Sequence, residues 1–134
     1  MIETIKIEVS AQGLHNITQR INQSIRHSDI NEGLCTIFVQ HTSASLIIQE
    51  NADPSAKHDL ENWLNRLVPE HDPLYTHTLE GADDMPAHIK SAITATSIAI
   101  PIINNQMALG TWQGLYLWEH RRLTGQRTII IHAA

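Results

Sequence analysis

The chain has 134 residues, a formal charge of −5, and a composition that is 42% hydrophobic and 17% charged. This is enough apolar material for one domain with a real core, and the scattered basic residues, with only Arg121 and Arg122 adjacent, argue against a nucleic-acid partner. No apolar run approaches the roughly 20 residues of a membrane span, and the opening MIETIKIEVS lacks the apolar core of an export signal.

Residues 2–9 alternate polar and apolar side chains, which predicts a strand with Ile5, Ile7 and Val9 on one face. From Asn16 the period changes. Ile17, Ile21 and Ile25 recur every four residues behind an Asn cap, predicting an amphipathic helix. Residues 34–40 and 45–49 read as one long strand, or as two joined at His41-Thr-Ser-Ala-Ser45. Cys35, the lone cysteine, reads as a buried thiol and places the chain in a reducing cytoplasm.

Asp53-Pro54 marks a helix start, with Asp as cap and Pro at the first helical position. The stripe Ala56, Leu60, Trp63, Leu64 and Leu67 predicts its buried face, and Pro69 its end. Residues 70–82 form a long, His-containing polar loop of the kind that often carries function. A short helix is expected over 83–93, with Met85, Ile89 and Ile93 as its apolar face. Three strands follow: 96–103, then 107–119 beyond an Asn104-Asn105 turn, then 126–132 beyond Thr124-Gly125. The sum is a single α+β domain, residues 1–134, with a mostly antiparallel, sandwich-like sheet and three helices.

Several polar groups have no obvious structural reason. His41, Ser43 and Ser45 would share one strand face where the flanks are apolar, which could equally be a wet edge. Glu50 and Asn51 precede the capped helix. Asp84, His88 and Ser91 form a stripe at i, i+4 and i+7, opposite the apolar one. A carboxylate and an imidazole one turn apart suit a metal, or a histidine whose tautomer the carboxylate fixes. In 107–119, Trp112, Tyr116, Trp118 and His120 fall on one face and Thr111, Gln113 and Glu119 on the other. Nucleophile-elbow, P-loop, dinucleotide-binding and zincin motifs are absent, so a site can assemble only through the fold.

Three blocks carry a resemblance: HTSASLIIQENADPSAKHDLE, GADDMPAHIKS and GTWQGLYLWEHR, in this order. They resemble the YjbQ family, also called the secondary thiamine-phosphate synthase family, over about residues 34–131. That resemblance implies a small α+β domain assembling as a homotrimer, with a polar pocket near subunit boundaries. It also implies joining a thiazole phosphate to a pyrimidine-methyl diphosphate with release of pyrophosphate. Such chemistry calls for a divalent metal, zinc or magnesium, and for donors to a phosphorylated substrate.

One histidine per block, His41, His88 and His120, gives an expected three-imidazole metal site with an open position. Asp84 and Glu119 are the expected general base or ligand-orienting groups. Thr42, Ser43, Ser45, Lys90 and Arg121 are expected to meet phosphate; Glu50, Asp53 and Asp59 are further candidates for the cation. Asn51, Thr111 and Gln113 complete the predicted ligand-binding set. A metal-dependent hydrolase or lyase, and a non-catalytic trimeric module for a small anionic metabolite, remain open beside the synthase.

Overall fold

The computed structural model describes residues 1–134, which form eight strands and three helices. The larger sheet runs in the order β1 (Ile2–Val9), β8 (Gly125–Ala133), β3 (Gly33–Val39), β5 (Ser97–Ile103) and β6 (Gln106–Met107). The smaller has β2 (Gly13–Asn16), β7 (Gln113–Glu119) and β4 (Ala44–Glu50). Every neighbouring pair is antiparallel. The expected α+β, mostly antiparallel fold with three helices is what the chain adopts.

Period-two alternation builds the core between the sheets. Ile5 and Val9 of β1, Cys35, Ile37 and Val39 of β3, Ile100 and Ile102 of β5, and Ile129 and Ile131 of β8 face Ala44 and Leu46 of β4 and Leu115 and Leu117 of β7. The helix α1 (Thr18–His27) adds Ile21 and Ile25 to this cluster, and Ile17 joins it from the position before the helix. Burial pushes the Cys35 thiol up to about 11, so it stays protonated and inert. A second cluster, Leu14, Leu64, Val68, Tyr116 and Trp118, lies on the far face of the small sheet. There α2 (Pro54–Leu67) and α3 (Asp84–Ile93) pack through Leu60, Leu64 and Ile89, making a third layer.

The departures from expectation have local causes. Of the two readings of 34–49 the chain takes the second, two strands joined at His41–Ser45, where it steps from the large sheet to the small one. The strand expected over 107–119 is interrupted. Gln106–Met107 closes a hairpin on β5 through Asn104 and Asn105, both at positive φ, and β7 begins only at Gln113. The four-residue β2 was not expected; it is too short to show alternation, and its first residue, Gly13, has φ +127°. Asn16 ends that strand rather than capping α1 by position, although its side chain still accepts the Thr18 amide at 3.0 Å. Asp53 is the N-cap as expected, accepting the Ser55 amide at 2.9 Å, with Pro54 first in the helix.

Both outer helices bury their faces differently from the hydrophobic pattern. On α2 only Leu64 is buried, while Trp63 and Leu67 are half exposed. On α3 the buried residues are Asp84, Pro86, Ala87, Lys90 and Ser91, and Ile93 is 56% exposed. The inner face of α3 is partly polar because it docks on backbone carbonyls of the inter-sheet step as well as on apolar side chains.

Candidate functional site

The step between the sheets is held at every residue. His41 Nε2 accepts the Thr128 amide at 2.8 Å. The ring therefore carries its proton on Nδ1, and Arg127 lies 3.2 Å from that nitrogen. Burial, then the Arg127 charge, hold the His41 pKa below its ordinary value, so the ring is neutral. The Thr42 carbonyl accepts His88 Nδ1–H at 3.0 Å. Ser43 accepts Arg127 NH2 at 3.0 Å through Oγ, and its carbonyl accepts the His120 amide at 3.1 Å. The Ala44 carbonyl accepts the Ser91 hydroxyl at 2.8 Å, and Ser45 Oγ pairs with His120 Nε2 at 2.8 Å.

Helix α3 stands on this step and carries Asp84 and His88. Asp84 Oδ2 lies 2.6 Å from His77 Nε2 and 3.2 Å from His88 Nε2. One ligand atom from each of these residues falls within 4.8 Å of the others. The Thr42 carbonyl is an acceptor only, so it fixes the His88 proton on Nδ1 and turns the Nε2 lone pair toward the Asp84 carboxylate. Two acceptors 3.2 Å apart repel unless a proton or a cation lies between them. Burial raises the Asp84 pKa, but His77, His88 and the Arg121 charge outweigh it and hold the carboxyl below the usual range.

Arg121 clamps the turn before α3. NH1 lies 3.3 Å from Asp84 Oδ1, and NH2 donates to the Glu80 carbonyl at 2.7 Å and to Asp83 at 3.3 Å. Its buried Nε has no acceptor. Burial also raises the Asp83 pKa, but Arg121 and the Arg122 amide bring the carboxyl below its usual range.

The sequence-predicted set divides. His88 and Asp84 meet, as the i, i+4 spacing suggests, but the third member of their group is His77, from the loop 70–82, rather than His41 or His120. His41 does share a pocket of about 290 Å³ with Thr42, His88, Ser91 and Thr96. His120 is 1% exposed beneath the small sheet, and burial, aided by Lys90 and Arg127, pushes its pKa down to about 3. Lys90 is also buried and donates to Asn65 Oδ1 at 2.6 Å; burial lowers its pKa, partly offset by Asp83. Glu119 is 0% exposed, with Oε1 2.5 Å from Arg127 Nε, while Oε2 accepts Arg127 NH2 at 2.7 Å and the Arg121 amide at 3.0 Å. Fully enclosed, it cannot reach a substrate as a base.

A second polar group sits at the other end of the β4–β7 ladder. Ala44 pairs with Glu119 at one end and Glu50 with Gln113 at the other, six steps or roughly 20 Å away. There Asn51 donates to the carbonyls of Thr111 and Gln113 at 3.4 and 3.1 Å, and Glu50 accepts the Asp53 amide at 2.9 Å. These contacts shape the turn into α2, and Asp59 is exposed on that helix.

Two residues of the site lay outside the sequence-derived set. His77 had only its place in a long loop to mark it. Arg127 had a better signal, because it interrupts the inward row Ile129, Ile131, Ala133 of β8 with a charge.

The sequence model of the family described as "UPF0047 protein YjbQ-like" matches residues 3–134. Among similar proteins, a UPF0047 protein of Synechocystis sp. is 52% identical over 132 residues, covering 98% of this chain and 90% of its own. The UPF0047 protein YjbQ of Escherichia coli O157:H7 is 43% identical over 129 residues, covering 96% and 93%. A crystal structure of an uncharacterised YjbQ/UPF0047 family protein from Clostridium acetobutylicum superposes with a TM-score of 0.89 at 29% identity, covering 98% and 99%. A conserved hypothetical protein from Thermus thermophilus superposes with a TM-score of 0.88 at 30% identity, with the same coverage.

Proposed function

The chain belongs to the UPF0047 YjbQ-like family, and from that premise we propose that it is a metal-dependent enzyme acting on a phosphorylated small molecule at His77, Asp84 and His88. The observation that carries this reading is the His88 tautomer. A backbone carbonyl takes the Nδ1 proton and leaves Nε2 facing a depressed-pKa carboxylate that a second imidazole also approaches. Two imidazole nitrogens and one carboxylate oxygen match zinc with an open position; they do not match the all-oxygen surroundings of magnesium. Held there, a divalent cation would supply Lewis-acid charge for a departing pyrophosphate.

The reaction we assign is thiamine-phosphate synthesis, in which a thiazole phosphate attacks a pyrimidine-methyl diphosphate and pyrophosphate leaves. Asp84 would hold the cation and the loop histidine, and Thr42 would keep the His88 ring in register through its carbonyl. One feature favours a second reading, metal-dependent hydrolysis. Arg121, the cation beside the cluster, already directs NH1 and NH2 at Glu80, Asp83 and Asp84, leaving a diphosphate little side-chain charge to bind. We further propose a homotrimer in a reducing cytoplasm. The half-exposed Trp63, Leu67 and Ile93 are apolar surface that such an assembly would cover, and no helix is long and apolar enough to cross a membrane.

The test is metal analysis of purified protein, followed by chelation, zinc titration and an assay of pyrophosphate release from the two substrates. One zinc per chain and zinc-dependent turnover are expected. His77→Ala and His88→Ala should each lower metal affinity by more than the roughly 10–100-fold typical of outer-shell changes. Wild-type protein that binds no zinc would sink the reading; zinc binding without pyrophosphate release would leave the hydrolase.

A further inference from the structure

Glu119 and Arg127 form a charged pair at one end of the inter-sheet core, where β7 and β8 otherwise place Leu115, Leu117, Ile129 and Ile131. Glu119 is 0% and Arg127 8% exposed. A buried ion pair is weak evidence for stability in itself, because taking two charges out of water offsets much of their attraction. What the pair supplies instead is fixed geometry. The carboxylate grips the guanidinium through Nε and NH2 at 2.5 and 2.7 Å, a two-point contact that leaves the fork no rotational freedom.

The rest of that fork and carboxylate is directed at the site. NH2 donates to Ser43 Oγ at 3.0 Å, so the fork holds the residue that follows Thr42. Oε2, which accepts NH2, also accepts the Arg121 amide at 3.0 Å, and the Arg121 side chain holds Asp84 at 3.3 Å. One buried pair thus touches the step that presents the Thr42 carbonyl to His88, and the strand end that presents Arg121 to Asp84.

We infer that Glu119 and Arg127 are positioning residues of the site: through Ser43 they set the Thr42 carbonyl against His88 and so decide which ring nitrogen faces Asp84. This rests on reading His77, Asp84 and His88 as the ligand cluster. Neither residue of the pair belongs to the His77, Asp84 and His88 group.

The experiment compares wild type, Arg127→Lys, Arg127→Met and Ser43→Ala. Ser43→Ala is the mildest change, since it removes one hydrogen bond and leaves the ion pair intact. Nitrogen-15 NMR of the histidine rings in metal-free protein at neutral pH reads the tautomer, and competition titration reads zinc affinity. Wild type should show His88 Nδ1 protonated, with any second proton confined to Nε2 beside Asp84. The Arg127 variants should show mixed tautomers and a roughly 10–100-fold loss of zinc affinity, with Ser43→Ala between them and wild type. Arg127→Lys should not rescue, because a single ammonium cannot reproduce the fork.

A purely structural role would lower thermal stability and leave both readouts in place. Folded variants with an unchanged His88 tautomer and wild-type zinc affinity would overturn the inference. If wild type itself bound no zinc, the reading of the cluster would fail, while the tautomer would still decide whether the pair positions His88.

Discussion

His120 shows how far a buried imidazole can depart from ordinary behaviour. Its pKa is pushed down to about 3, and Ser45 accompanies its Nε2 in an enclosed setting. The folded ring resists a proton that the unfolded chain accepts below about pH 6.5. Stability contributed this way is complete above that value and falls as pH drops toward 3, by up to about 1.4 kcal/mol per pH unit. His41, also held below its ordinary value, adds the same sign over the upper part of the window. Asp83 and Asp84 act lower: their stabilisation is present above about pH 3.9 and is lost as pH falls through their depressed values. Urea unfolding at about pH 7, 5.5 and 4.5 should therefore show a steady decline, and His120→Asn should flatten it. At this scale the sequence was informative wherever a residue acts on near neighbours. The Asp53 cap and the Asp84–His88 spacing were both readable. His77 was not, because nothing in a loop's sequence says where its tip will land.

The helix α3 reverses the usual logic of amphipathic elements. Its apolar residue Ile93 is half in water, while Asp84, Lys90 and Ser91 are buried. Ser91→Ala should strand the Ala44 carbonyl in the interior, and we expect a loss of about 1–3 kcal/mol. Ile93→Ala should cost under about 0.5 kcal/mol in the isolated chain, as for other exposed sites. Chemical denaturation of the two variants checks the pair, and the opposite ranking would show that α3 docks by its apolar stripe. Hydrophobic periodicity located this helix well but caught only part of its docked face: Ile89 packs inward as expected, while Ile93 does not. The period marks where apolar residues recur, whereas docking here is decided in part by carbonyls that no side-chain pattern displays.

For the whole molecule, alternation was enough to predict an antiparallel α+β domain, since period two fixes which residues face inward. It could not assign strands to sheets, so it left 34–49 open as one strand or two, and it read 107–119 as a longer strand than the chain forms. The proposed trimer would cover Trp63 and Leu67, which are half exposed in the single chain. Sedimentation should give about three chain masses, and Trp63→Glu with Leu67→Glu should release monomers. A wild-type mass of one or two chains would count against that assembly. The cluster itself has mixed parentage. Asp84 and His88 stand on a rigid helix anchored to the seam between the sheets, but His77 arrives on a loop with no strand or helix of its own. Two donors are therefore bound to the architecture and one is removable cargo. Diversification of the chemistry, whether by nature or by an engineer grafting new 70–82 segments, has an obvious place to begin: the third ligand can be exchanged while the layer of isoleucines beneath it stays untouched.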